Sequence, residues 1–193
     1  MMSLRFDGMA LTKETCMVYY GAKELAASSR TVRGNTIIIA QNIPEDKYGF
    51  KPMPEYRSVA QLFTHIALTS RFQHQFHGID KLTTMEGFDF PSLMKKITQE
   101  ESESRTKAQI IDLLKKEGEK WAGWVEGLSD DFLGQRIEMP KDSTPPSKSR
   151  FEMILSVKEH EMHHRGQLML IERLLGIVPH LTLERQARMA QTK

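Results

Sequence analysis

The sequence predicts an all-α protein organised as a four-helix bundle, and three observations carry that reading. Three Ser or Thr residues are each followed three positions later by Gln or Glu: Ser58 with Gln61, Thr106 with Gln109, and Ser149 with Glu152. This is the capping-box pattern of a helix start, in which the paired side chains satisfy backbone N–H groups that the first turn leaves without partners. Four stretches repeat their apolar residues at spacings of three and four, the helical period. One short and two long connections, marked by Pro and Gly, separate these stretches. Amphipathic helices joined in this way bury their apolar faces against one another as a bundle.

Taken in order, residues 1–11 read as an irregular start. Thr12 to Asn42 carries the helical period through Leu25, Val32, Ile39 and Ile43. Gly21 and Gly34 weaken it, a break near Ser28-Ser29 fits the composition, and Ile37 to Ile39 is too short to claim a strand. Pro44 ends the helix, and Glu45 to Arg57 is a loop. The second helix starts at Ser58 and runs to about Gly78, with Leu62, His65, Thr69, Phe72 and Phe76 on one face. His74 and His77 fall on other faces and read as surface histidines near a helix end.

Residues 79–105 read as a long connection with a short helix over Ser92–Ile97, long enough to serve as a lid or crossover. The third helix, from Thr106, aligns Ile110, Leu114, Trp121, Val125 and Leu128. Leu128 to Lys148 is a second long connection, made locally basic by Lys141, Lys148 and the adjacent Arg150, and reads as a solvated loop. The fourth helix, from Ser149 to about Gly176, puts Met153, Val157, His160, His164, Leu168, Ile171 and Leu175 on one side. Pro179 stops it, and Leu181 to Arg188 reads as a terminal helix or arm.

A chain of 193 residues reads as one domain with room for a sizeable core. Lys and Arg number 27 against 25 Asp and Glu, a net charge of +2, which gives no case for nucleic acid or an anionic membrane as partner. One cysteine, Cys16, excludes an internal disulfide framework and a Cys-based zinc ribbon. It is compatible with a reducing compartment and with a plain core position. The start of the chain lacks the apolar run of a signal peptide, and no apolar stretch approaches the ~18 residues of a membrane span. The expectation is a soluble, cytoplasmic protein.

The chemistry is concentrated in histidines. His160 and His164 lie one turn apart on an inward face, where two imidazoles can converge on one cation. A lone buried His is ordinarily a hydrogen-bonded core residue. Two on one stripe double the desolvation and present four ring nitrogens to a core with few partners. His65 faces the same core from another helix. Three neutral imidazoles from two helices would hold a divalent ion and leave open positions at which a water becomes acidic and a substrate atom is polarised.

A competing pattern overlaps the pair. His160-Glu161-Met162-His163-His164 also spells H-E-x-x-H, the metalloprotease motif with Glu as general base. The continuation lacks the glycine and third His of the extended motif. Glu184, a downstream carboxylate to consider as a third ligand, follows Pro179 in a charged tail.

The segments LFTHIA around His65 and HEMHHRGQLMLIERLLGI from His160 resemble the DinB-like superfamily, also described as YfiT-like metal-dependent hydrolases. The resemblance covers about residues 24–179 and leaves a short N-terminal extension and a C-terminal tail outside. It implies a four-helix bundle of up-down-down-up connectivity, often dimeric, binding a divalent ion such as zinc or nickel. The three ligands fall on His65, His160 and His164, while His163 is extra to the motif. Characterised relatives include S-transferases and an isomerase that use low-molecular-weight thiols.

Around that set, Gln167 lies within ~60° of the stripe and is placed to hydrogen-bond a ligand His, and Glu161 flanks the stripe, placed to hydrogen-bond a neighbouring helix or to orient a His from another helix. Gly166 reads as a point of close helix approach. Tyr48 and Trp121 are candidates to line the pocket. No side chain is assigned as the catalytic group, the reacting species being water or a thiolate. The leading reading is a metal-dependent enzyme performing hydrolysis or S-transfer on a small substrate, as a homodimer. The alternatives are a metal-stabilised stress-response or binding protein without turnover, a dimerising bundle with core histidines, and the H-E-x-x-H protease.

Overall fold

The computed structural model describes residues 20–191. The irregular start, the Thr12–Tyr19 part of the first predicted helix and Cys16 lie outside the described residues. Helix α1 (Ala22–Asn42) runs without a break at Ser28-Ser29, and Glu24 accepts from the Gly21 N–H at its head. A short 3₁₀ turn follows at Glu45–Lys47. Helix α2 (Val59–Leu68) continues through α3 (Ser70–Gln73) into a single π-helical turn, His74–Ile79. Next come α4 (Phe90–Glu101), α5 (Lys107–Glu126) and the short α6 (Asp130–Gly134). Strands β1 (Arg136–Glu138) and β2 (Ser147–Ser149) pair antiparallel, and β2 leads directly into α7 (Arg150–Leu174). Helix α8 (His180–Gln191) ends the described chain. All three capping boxes form, with each cap oxygen accepting from the N–H three residues on.

Side-chain pairings give the directions of the long helices. Arg30 meets Glu119, and Lys107 reaches the Ile43 carbonyl, so α1 and α5 are antiparallel. Arg71 pairs with Glu117 and His74 packs on Trp124, so the second long helix runs with α5. Lys158 reaches Ser28 and Glu161 meets Arg33, so α7 runs with α1. The order is up, down, down, up.

Two apolar clusters fill the bundle. One joins Ile39 of α1 and Ile43 just past its end to Leu62, Phe63 and Ile66 of α2, Ile110 and Leu114 of α5, and Leu168 and Ile171 of α7. The other joins Leu25, Trp121, Val125, Ile154 and Val157. A side chain such as Phe63, with no exposed surface, contributes roughly 2 kcal/mol relative to an exposed one. Between the clusters lies a buried polar layer. Arg33 donates to both oxygens of Glu161, at 2.8 and 3.0 Å, and to the carbonyl of Leu114 at 2.7 Å, while Thr36 donates to Glu161 at 2.7 Å. Gly118 makes room for it, because a Cβ there would stand 2.7 Å from Arg33 Cγ. Gly166, read from the sequence as the close-approach glycine, faces open space. Tight packing occurs where α5 meets α1, and that residue of α7 looks outward.

Three local expectations are corrected. The helix expected over Ser92–Ile97 extends from Phe90 to Glu101, because Asp89 caps it and Pro91 fits its first turn. His77 is fully buried rather than on the surface. The π turn inserts extra backbone per turn and rotates His77 inward, where its Nδ1 accepts from Arg150 at 2.8 Å. Burial, together with Arg150, pushes its pKa down to about 3. Arg150 is itself buried, over the Phe132 ring and bonded to Gln135. The expected solvated connection is thus partly structured, as a hairpin whose Ile137 is buried.

Glu172 supplies a test of this packing. It has no exposed surface, and neither carboxylate oxygen makes a well-formed hydrogen bond among the described residues. Burial, only partly offset by nearby Asn42 and Arg173, pushes its pKa up to about 7. A carboxyl whose folded pKa is raised stabilises the protein fully below its unfolded pKa of 4.5. That stability is lost as the pH rises through 7. Glu172→Gln is therefore expected to raise the stability at pH 8 by on the order of 1–3 kcal/mol, seen as a higher Tm, and to change little near pH 4.5. Parallel Tm–pH curves for the two proteins would overturn this.

Candidate metal centre

His65 stands two turns into α2, its place set by the Ser58 cap, and His160 and His164 stand one turn apart at mid-length of α7. The two helices bring the three rings together. His65 Nε2 lies 3.2 Å from His160 Nε2, and His164 Nε2 lies 3.0 Å from the same atom. One nitrogen from each ring falls within 4.8 Å of the others. His65 and His164 are buried and His160 is half-buried.

The outer nitrogens decide the tautomers. His65 Nδ1 is 2.5 Å from Glu101 Oε1, and His164 Nδ1 is 2.8 Å from Gln167 Oε1. Burial works against the charge on Glu101, but His65 and Arg57 more than compensate and hold its pKa below the usual carboxylate range. An ionised carboxylate and an amide oxygen only accept, so Nδ1 of each ring carries the proton. In the neutral rings both Nε2 atoms then turn lone pairs toward His160 Nε2. One N–H on His160 can serve only one of them, and His160 Nδ1 is buried with no hydrogen-bond partner among the described residues.

Protonation is no remedy. Burial first, and then His164, His65, His163 and Arg57, push the His160 pKa down to about 4. Burial lowers that of His164 as well, with Gln167 opposing. Neutral nitrogens converging without enough protons are a donor set for a divalent ion, the most direct way to satisfy them. The 3.0 and 3.2 Å spacings are close to the ~3.3 Å expected between two nitrogens that each lie ~2.0 Å from one zinc-like ion. The residues present therefore fit such an ion.

His164 and Gln167 also wall a cavity of about 890 Å³. Tyr56 and Arg57 line it from the loop before α2, Gln61 and Leu62 from the first turn of α2, Thr98 and Glu101 from α4, and Leu170 and Ile171 from α7. Tyr48 and Trp121, expected from the sequence to line the pocket, do not. Tyr48 is buried in the first apolar cluster, donating to the Ala40 carbonyl at 2.7 Å. Trp121 belongs to the second cluster, on the far side of the Arg33 layer. Glu161 orients no histidine, because Arg33 and Thr36 occupy its oxygens. His163 is exposed and meets Gln167 from outside the set. Glu101 and Arg57 were not singled out from the sequence. Glu101 sits in an acidic-polar run that carries no apolar period, and only the docking of α4 on α2 brings it to His65.

The sequence profile of the DinB superfamily matches residues 30–168. The chain belongs to the DinB superfamily. It is 31% identical over 144 residues to YjoA of Bacillus subtilis (strain 168), covering 75% of this chain and 84% of YjoA. The crystal structure of YjoA, a DinB-like protein, matches with a TM-score of 0.56 at 24% identity, covering 79% of this chain and 92% of that one. YfiT from Bacillus subtilis is described as a probable metal-dependent hydrolase with an unusual four-helix bundle topology. It matches with a TM-score of 0.63 at 11% identity over 86% of this chain and 94% of its own. The all-α class and the bundle are those of the DinB-like fold. Among the described residues of this DinB-superfamily chain, no helix is long and apolar enough to cross a membrane.

Glu101 is open to a direct test. Removing the carboxylate that orients His65 in Glu101→Ala is expected to weaken divalent-metal affinity roughly 10–100-fold. Competition with a chromophoric chelator measures it, and an unchanged affinity would remove Glu101 from the site.

Proposed function

We propose that this DinB-superfamily protein is a metal-dependent enzyme that performs hydrolysis or thiol S-transfer on a small substrate held in the cavity beside His164. The observation that carries the reading is the convergence of three imidazole Nε2 atoms, with one of the three rings, His164, on the wall of a cavity large enough for a drug-sized molecule. His65, His160 and His164 would hold the ion, with zinc and nickel fitting imidazole donors. When bound, a divalent ion supplies Lewis-acid polarisation and lowers the pKa of a water or thiol at its open side.

The protein's own groups prepare that chemistry. Glu101 keeps the His65 proton on Nδ1, and Gln167 does the same for His164, so both rings present lone pairs inward. Burial holds His160 neutral at pH 7. Leu62, Leu170 and Ile171 give the cavity an apolar wall that limits water around a bound substrate. A low-molecular-weight thiol is the proposed cosubstrate for the transfer reaction, and the homodimer belongs to the same proposal.

Elemental analysis of the purified protein and turnover assays with a panel of thiols and electrophiles test this. The expected result is one divalent ion per chain and turnover that chelation abolishes. A metal-free protein, or bound metal with no turnover across the panel, would reject the enzyme. A monomer by light scattering at micromolar concentration would reject the dimer.

A further inference from the structure

Arg57 is the last residue of the loop before the Ser58 cap of α2, and that cap fixes its backbone. Its Nε donates to Glu101 Oε2 at 3.3 Å, while the other oxygen of the same carboxylate holds His65. The guanidinium is therefore anchored one carboxylate away from the three-histidine set. Its side chain is 44% exposed and lines the cavity. Its two Nη groups make no hydrogen bond among the described residues. Since Glu101 already offsets part of the Arg57 charge, packing alone is a poor reason to hold the fork in this position.

We propose that Arg57 recognises a carboxylate carried by the small substrate or cosubstrate of this cavity. Two Nη donors in a fixed plane match the two oxygens of a carboxylate, and such charge-assisted pairs are strong and directional. Lys51 is a second cation on the lining, set against Glu55 and Glu101. The lining charges cancel, so a dication at the histidines leaves the pocket net positive and favours an anion. The apolar wall of Leu62, Leu170 and Ile171 suits the carbon skeleton between that carboxylate and the group that reacts.

This inference rests on the metal reading, and cobalt-loaded protein separates the two. The probes are 3-mercaptopropionate and its uncharged amide, 3-mercaptopropionamide, titrated against the thiolate-to-cobalt absorbance band. The wild type is expected to bind the acid at least roughly 10-fold more tightly than the amide. In Arg57→Gln that ratio is expected to fall to about 1 with the cobalt stoichiometry and the amide affinity retained, and Arg57→Lys is expected to recover part of it. Equal affinities in the wild type, no band with either probe, or a ratio that survives Arg57→Gln would overturn the carboxylate site while leaving the metal site standing. Failure of the wild type to take up cobalt would overturn the metal reading, and this inference with it.

Discussion

Glu161→Gln loses about 3–5 kcal/mol of stability, a drop in Tm on the order of 10 °C, in thermal denaturation at neutral pH. Glu161 and Arg33 are each 6% exposed, and the carboxylate takes two hydrogen bonds from the guanidinium and one from Thr36. The amide removes the countercharge and turns an N–H donor toward another donor, leaving a buried cation uncompensated. Below its lowered Tm the variant is expected to retain metal at saturating concentration and a sizeable part of the wild-type activity, because Glu161 touches none of the three histidines. The wild type is expected not to cleave casein. A Tm unchanged within about 1 °C would contradict the buried pair. Peptide cleavage by the wild type, together with a folded, metal-loaded and inactive Glu161→Gln, would reinstate the H-E-x-x-H protease.

His65→Ala and His164→Ala each lose most of the bound divalent metal, as measured by elemental analysis after gel filtration, whereas His163→Ala and His74→Ala keep it. Each of the first two removes one of the converging Nε2 atoms. His163 lies outside the set, and His74 packs on Trp124. His77→Ala is expected to keep the site but to lower the Tm, since it strips the buried Arg150 of one of its hydrogen-bond partners. Equal metal content in all five variants would dismiss the three-histidine site.

Much of this arrangement is legible in the sequence because it is local. Capping boxes at Ser58, Thr106 and Ser149 need only residues three apart, and the stripe from Met153 to Leu175 needs only the helical period. His160 and His164 share a face by that same period, and Gln167 follows one turn on. Where the period itself changes, the reading fails. The π turn at His74–Ile79 rotates His77 from the surface into the core. Tyr48 and Trp121 failed for a different reason. An aromatic side chain serves a core and a pocket wall equally well, and nothing in its neighbours along the chain distinguishes the two.

By itself, then, the sequence determined the class of the fold, the number of long helices and two of the three converging imidazoles as a pair, because each follows from residues within a turn or two of one another. Only the tertiary structure decided that Glu101 orients His65, that Arg57 faces the cavity, and that Arg33 takes Glu161 out of the chemistry. Those contacts join residues 36, 44 and 128 positions apart. A charged side chain reads as solvent-facing until another helix docks over it. Whether it ends as a buried ion pair, a ring-orienting carboxylate or a cavity wall depends on which helix that is.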